Sequence, residues 1–215
     1  MTDATGPQSD RASDDAERRQ IQRRRPRERA DAARNRARIL AIAHPLFAEH
    51  GVQAVSMDQV AAAAGVGKGT LFRRFGDRAG LAAALLDEQE RDLQEAILRG
   101  PPPLGPGADV SARLCAFLAA YQDYLDSSLD LIKMSETASP GARYRIGAYW
   151  FWHRHVTILL NDARPDLDTQ YLAHALLFPL AAEAHGTLSE LAGQQRARRG
   201  VYTLAQLILS GTVED

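Results

Sequence analysis

Residues 56–75 read SMDQVAAAAGVGKGTLFRRF. Ser56 followed three residues later by Gln59 is a capping box, which satisfies the free N–H groups that open a helix. The short helix it starts carries Val60 and then Ala61, Ala62, Ala63 and Ala64, small enough to let a second helix approach closely. Gly65 stops it, because glycine tolerates a positive φ, and Val66 plugs the turn. A second helix is predicted from near Gly67. Leu71 and Phe75, four residues apart, share its inner face, while Lys68, Thr70, Arg73 and Arg74 take its outer face. Two short helices, a glycine turn and a basic outer face describe a helix-turn-helix whose second helix enters the major groove of double-stranded DNA.

Outward from this segment the pattern stays helical. Ile39, Ile42, Ala43, Leu46 and Phe47 recur at the three–four spacing of a helix. That helix contains Pro45, which should kink it or remove one hydrogen bond, and it stops at His50-Gly51. A long helix is predicted from about Asp77 to Leu98. Residues 100–107, GPPPLGPG, form a loop. Further helices are predicted over 109–127, 129–138, 141–161, 167–192 and 195–210, separated by Pro140-Gly141, Pro165 and Gly193, with a local kink at Pro179. There is no alternating strand pattern and no internal repeat, so the fold class is all-α. The divisions are a tail over 1–33, a three-helix DNA-binding domain over 34–80 and a helical bundle over 81–215.

The formal net charge of −1 conceals an asymmetry. Residues 1–80 hold fifteen Arg and Lys against ten Asp and Glu, and residues 81–215 hold eleven against seventeen. A basic front and an acidic remainder suggest one end that meets a polyanion. Residues 1–33 have too few large apolar side chains to offset chain entropy and are expected to be disordered. Ten Arg lie between Arg18 and Arg38. They read either as a solvated extension or as an arm on the DNA backbone.

Other chemistries find no support. Gly65, Gly67 and Gly69 invite a nucleotide-loop reading, but Thr70 stands where the dinucleotide pattern needs its third glycine, and Lys68 is followed by Gly69 rather than Ser or Thr. His153 and His155, two apart on a helix, point to different faces and read as an ordinary half-buried or surface pair rather than metal ligands. No Gly-x-Ser-x-Gly or His-Glu-x-x-His pattern occurs. No catalytic residue, metal or cofactor is expected. Cys115 stands alone, so no internal disulfide forms, and a reducing cytoplasm fits. The chain has no apolar run near 18 residues, so no membrane span is expected.

The segment over about residues 34–85 closely resembles the TetR family of transcriptional regulators. The family pattern Ala-Gly-Val-Ser-x-Gly-Thr-Leu-Tyr-x-His-Phe is matched here by Ala-Gly-Val-Gly-Lys-Gly-Thr-Leu-Phe-Arg-Arg-Phe, ending at Phe75. The upstream Phe47-Ala-Glu-His-Gly51 and Val55-Ser56-Met57 also match. The resemblance implies that Gly67, Lys68, Gly69 and Thr70 lie against DNA, with Thr70 donating to a phosphate and Lys68 reaching a base edge or phosphate. Arg78 takes the place of a phosphate-binding Lys, and Ser56 and Met57 lie near the backbone. Phe72 replaces a Tyr and loses its hydroxyl contact. Arg73 stands beside it on the same helix, and Arg74 replaces a His and reaches a guanine or a phosphate. The family further implies a cytoplasmic homodimeric repressor on operator DNA, released by a small-molecule effector bound among the central helices of its C-terminal domain.

Two features of residues 81–215 bear on that expectation. Tyr149-Trp150-Phe151-Trp152-His153 is unusually aromatic, and Phe117, Tyr121, Tyr124 and Met134 add to it. These side chains are either ordinary core or the wall of an apolar pocket. The candidate ligand contacts are Phe117, Tyr121, Tyr124, Met134, Trp150, His153, His174 and Phe178. The last two long helices carry Leu176, Leu177, Leu180, Ala181, Ala184, Leu188, Leu204, Ala205 and Ile208, more than one monomer easily covers. The family pairs these helices with their copies as a four-helix bundle. The competing function is a helical protein-interaction module that keeps the helix-turn-helix shape without binding DNA. The outward Lys68, Arg73, Arg74 and Arg78 favour DNA.

The basic N-terminal segment has no framework to aim it, so on DNA it should add affinity without sequence preference. Each phosphate it neutralises contributes about 0.9 to the magnitude of the log–log salt slope. Deleting residues 2–30 is expected to flatten that slope and to weaken specific and non-specific DNA by similar factors. An unchanged slope in salt-titrated binding assays would assign the segment to solubility alone.

Overall fold

A computed structural model describes residues 31–137 and 139–211. Among them there is no strand, and no helix is long and apolar enough to cross a membrane. The first helix, α1, is described over residues 31–50. It is followed by α2 (Met57–Ala63), α3 (Lys68–Phe75) and α4 (Arg78–Arg99). The larger body adds α5 (Val110–Glu136), a 3-10 turn over Ala142–Arg145, α6 (Gly147–Ala163), α7 (Thr169–Leu177), a 3-10 turn over Phe178–Leu180, α8 (Ala182–Ala192) and α9 (Gln194–Ser210). Residues 31–33, expected in the tail, are already helical. They precede the apolar stripe, so helix propensity and the Asp31–Arg34 ion pair one turn apart continue α1 backward past it. The rest of the expected tail, residues 1–30, lies outside the described residues.

The head forms where α1, α2 and α3 bury Ile39, Leu40, Ala43, Phe47, Val60, Ala61, Leu71 and Phe75 together. Burying each such leucine or phenylalanine side chain contributes about 1.5–3 kcal/mol. Pro45 leaves α1 unbroken. Its missing N–H would have met the carbonyl of Ala41, and both residues are on the exposed side of the helix. Leu81, Ala82 and Leu85 carry the same apolar cluster from the head into the body. Here the start of α4 comes so close to the end of α3 that a Cβ on Gly80 would lie 2.0 Å from the Phe75 carbonyl oxygen.

In the body, α5 is central and packs on α4, α6, α8 and α9. The helices predicted over 109–127 and 129–138 are one element with a break in it. Ser128 has φ −143° and ψ 28°, and the helix resumes beyond it. The helix predicted over 167–192 is divided at Pro179 into α7, a 3-10 turn and α8. The Ser128 break has neighbours on several elements. Asp126 accepts hydrogen bonds from His185 of α8 (2.7 Å) and Arg198 of α9 (2.6 Å), and Asp123 accepts from the same Arg198 (2.6 Å). Burial opposes ionisation of Asp126, but the hydrogen bonds from His185 and Arg198 prevail and hold its carboxyl below the ordinary carboxylate range. Of the apolar side chains on the last helices, Leu176, Leu177, Leu180 and Ala205 are buried within the monomer, whereas Leu188, Leu191, Leu204 and Leu207 stay exposed.

His153 and His155 are both buried, which corrects the half-buried or surface reading. The stripe of α6 that contains Trp152, Val156, Leu159 and Leu160 faces inward and carries the two histidines with it. His155 lies edge-on to the Phe117 ring at 5.2 Å, and its Nε2 has no hydrogen-bond partner among the described residues. Burial, helped by Arg113, pushes its pKa down to about 4. In the unfolded chain a histidine titrates near 6.5. Between pH 6.5 and about 4 the unfolded state therefore binds the extra proton first, and stability falls as pH falls through that window. His155→Leu should fill the same apolar space and lessen the loss by on the order of 2 kcal/mol. Denaturant melts of both proteins at pH 7.5 and pH 5 check this, and an equal loss in the two would remove His155 from the acid sensitivity.

Candidate nucleic-acid interface and interior cavity

The helix-turn-helix forms as its local chemistry dictates. Ser56 Oγ accepts from the Gln59 N–H at 3.2 Å, and the Ser56 N–H donates to Gln59 Oε1 at 2.8 Å, completing the capping box at α2. Gly65 adopts φ +61°, and the Val66 N–H returns to the carbonyl of Ala61 at 3.0 Å. That left-handed turn aims α3 away from α2. Leu71 and Phe75 are buried, so Lys68, Gly69, Phe72 and Arg73 are presented outward, with Thr70 half-buried beside them.

The basic side chains of this face differ in their engagements. Lys68 pairs with Asp58 of α2. Arg74 turns back and donates to the carbonyl of Ala32 in α1. Arg78 donates to the carbonyl and the side-chain oxygen of Gln53, both at 2.6 Å, and so fastens the start of α4 to the loop between α1 and α2. Arg73 is exposed and has no such partner among the described residues. Met57, expected near the DNA backbone, is instead 8% exposed and belongs to the core, because the first turn of α2 points its inner face at α1. Ser56 and Gly67 remain exposed at the two helix starts.

The body holds a narrow, partly open cavity of about 20 Å³, room for a single water-sized guest. Tyr121 and Tyr124, two of the expected ligand contacts, line it together with Trp152, Tyr149, Glu90, Glu136 and Arg143. Most of the other expected ligand contacts are elsewhere. Phe117 is fully buried one layer behind, packed on Tyr121 and Trp152 at ring-centroid distances of 5.7 and 6.2 Å. Met134 lies on the outside of α5 near Gln53 and Arg78, and Phe178 is 68% exposed because Pro179 turns its backbone outward from the bundle. Trp150 is half exposed, with its indole N–H donating to the carbonyl of Tyr144 at 2.9 Å. The rings of His153 and His174 lie tilted against one another, centroids 4.0 Å apart; His153 meets the carbonyl of Gln170 and His174 meets the Tyr149 hydroxyl.

The cavity has a charged end that composition and aromatic content did not indicate. Arg143 pairs with Glu136, donates to the carbonyl of Leu177 at 3.0 Å and lies over the Tyr149 ring at 5.2 Å. The other oxygen of Glu136 accepts the Ala182 N–H at 2.8 Å. Tyr124 donates its O–H to Glu90 at 3.2 Å. Burial pushes the hydroxyl of Tyr121 up to about 12 and that of Tyr124 higher still, so both stay protonated donors. Glu90 had a signal in the sequence: with Leu86, Leu93 and Ile97 it occupies one stripe of α4, where a charge is out of place. Arg143, in a short 3-10 turn, had none.

Residues 39–85 match the family model described as bacterial regulatory proteins, tetR family. An HTH-type transcriptional regulator of Staphylococcus aureus (strain bovine RF122 / ET3-1) is 45% identical over 69 residues, 32% of this chain and 36% of that protein. One from S. aureus strain USA300 is 46% identical over 65 residues, 30% and 34% of the two chains. The match thus spans about a third of the length of these curated relatives. The whole fold is similar to that of a TetR/AcrR-family regulator from Thermobifida fusca (TM-score 0.61, 20% identity, 83% of this chain and 98% of that one). It is also similar to the fatty acid degradation regulator FadR from Bacillus halodurans (TM-score 0.60, 18% identity, 84% and 97%). These relatives and neighbours are named as regulators.

If α3 meets DNA, Asp58 competes with phosphate for Lys68. Asp58→Asn is expected to tighten binding to any duplex by a few-fold, in keeping with the modest worth of an exposed ion pair, and Arg73→Ala to weaken it with a shallower salt slope. Fluorescence-anisotropy titrations over a salt series measure both. Asp58→Asn without effect, together with an unchanged Arg73→Ala slope, would place the DNA elsewhere.

Proposed function

We propose, from the match of residues 39–85 to the tetR family model, that the chain is a homodimeric transcriptional repressor that binds operator DNA in the cytoplasm and is released by a small molecule. The single observation that carries the DNA-binding part is the outward basic face of α3, set on a buried Leu71–Phe75 spine in a head matched by this family. Ser56, Gly67, Lys68, Gly69, Thr70, Phe72 and Arg73 are the proposed contacts. Arg74 and Arg78 join them by exchanging their present carbonyl partners for phosphates. A protein-interaction module is the weaker reading, because an exposed face of Lys68, Arg73 and the α3 N-terminus suits a polyanion.

The dimer reading is supported by Leu188, Leu191, Leu204 and Leu207, which line the exposed sides of α8 and α9. The sensing reading is supported by hydrogen bonds that join α4 to both the α5 break and the head, one residue from the cavity wall. Glu90, at the cavity, is next to Gln89 on α4. Gln89 Oε1 accepts from Ser128 Oγ at the α5 break (2.7 Å), and its amide donates to His44 Nε2 on α1 at 3.0 Å. A molecule that separates Glu90 from Tyr124 shifts α4 against the α5 break, and His44 transmits the shift to α1. Release follows if the ligand favours the arrangement of the two heads that no longer fits two half-sites.

A gel shift with the DNA upstream of the protein's own gene tests the reading first, and failure to bind any duplex in low salt would end it. In the same assay Leu191→Glu with Leu207→Glu should produce a monomer by sedimentation and lower operator affinity more than about tenfold, since one recognition helix makes few base contacts. A double variant that stays dimeric would move the interface off α8 and α9.

A further inference from the structure

Gly69 lies in the first turn of α3, and the fold of the monomer does not require it. Its backbone is helical rather than left-handed, and a Cβ built on it would meet nothing within 4 Å among the described residues. Glycine at a helical position costs stability relative to alanine, so the bare position answers to nothing inside the monomer. The side chains one turn further along the same face are Phe72 and Arg73. Phe72 is 47% exposed, although a phenyl ring gains by leaving water. Lys68 is engaged by Asp58 of α2. The outward face of α3 therefore carries a shallow notch, with the Gly69 backbone as its floor and the Phe72 ring as its wall.

A phenyl ring cannot hydrogen-bond to a base edge or a phosphate oxygen. The apolar group that a duplex offers in its major groove is the 5-methyl of thymine. We propose that the notch seats a thymine methyl group, packed on the Phe72 ring and admitted by the bare backbone of Gly69, so that these two residues select a T·A pair at one position of each half-site. The assignment rests on the reading of α3 as a DNA-recognition helix and adds a feature of the sequence it reads. A protein partner would also cover the ring, but the exposed Arg73 beside it suits a polyanion. Packing of the ring on deoxyribose would cover it without regard to sequence, and the experiment separates that case.

Duplexes that the full chain selects from a random pool supply the probe, synthesised once with thymidine and once with deoxyuridine, which lacks only the methyl group. Selection should enrich thymine at one position of each half-site. The uracil duplex should bind about fourfold more weakly per half-site, the worth of one buried methyl group. Phe72→Ala should bind the two duplexes alike. Gly69→Ala should raise the melting temperature, since its methyl group finds open space on a helix. It should nevertheless weaken the thymine duplex, because that group fills the notch, and weaken the uracil duplex less. A gain in stability with a loss of thymine preference is not the signature of a folding defect. Equal binding of the two duplexes by the unaltered chain, a preference that survives Phe72→Ala, or full affinity and preference in Gly69→Ala overturns the proposal. Sequence-selective binding that ignores the methyl group overturns the notch and leaves DNA recognition intact, whereas failure to bind any duplex overturns both.

Discussion

Arg143 is buried, and a guanidinium cannot give up its charge, so the body must provide partners for it. Glu136 at the end of α5, the carbonyl of Leu177 at the end of α7 and the ring of Tyr149 on α6 do so. Glu136 in turn holds the first N–H of α8. One ion pair thus joins the ends of four helices, closes the wall of the cavity and sets the direction in which α8 and α9 leave it. Removing either partner strands the other charge in low dielectric, so this corner of the bundle acts as a unit.

The break at Ser128 is the second junction. A helix as long as α5 would ordinarily move as a rod. The non-helical residue divides it into two halves that both reach the cavity, one through Tyr121 and Tyr124 and the other through Ile132 and Glu136. Gln89 bonds to both Ser128 and His44, and the His44 Nε2 also approaches the Ser127 carbonyl at 3.4 Å, so the break in α5 is tied to α1 through one side chain.

The head was legible in the sequence because its rules are short-range. A capping pair three apart, a glycine at positive φ and two apolar residues four apart each act within one or two turns. What escaped were partners brought from a distance: Ala32 for Arg74, Gln53 for Arg78, Asp58 for Lys68. Of these only the last lies within the motif. In the body, aromatic content drew Trp150 into the expected pocket, whereas the inward stripe of Tyr149, Trp152 and Val156 leaves Trp150 on the outside. Phe178 was misplaced for a related reason, since a helix extrapolated through Pro179 loses its phase there. The Glu90 position was visible as a charge on an apolar stripe, but the Arg143–Glu136 pair depends on the 3-10 turn over Ala142–Arg145, which no periodicity encodes.

The Asp58–Lys68 pair has a consequence for how such a head would search a genome. Non-specific attachment is driven by free cations and counterion release. A lysine that arrives already paired contributes little to a random sequence, where no base contact compensates for breaking the pair. On a matching site the same lysine would change partner with help from neighbouring contacts, so the carboxylate would lower the time lost on wrong DNA more than the hold on the right one.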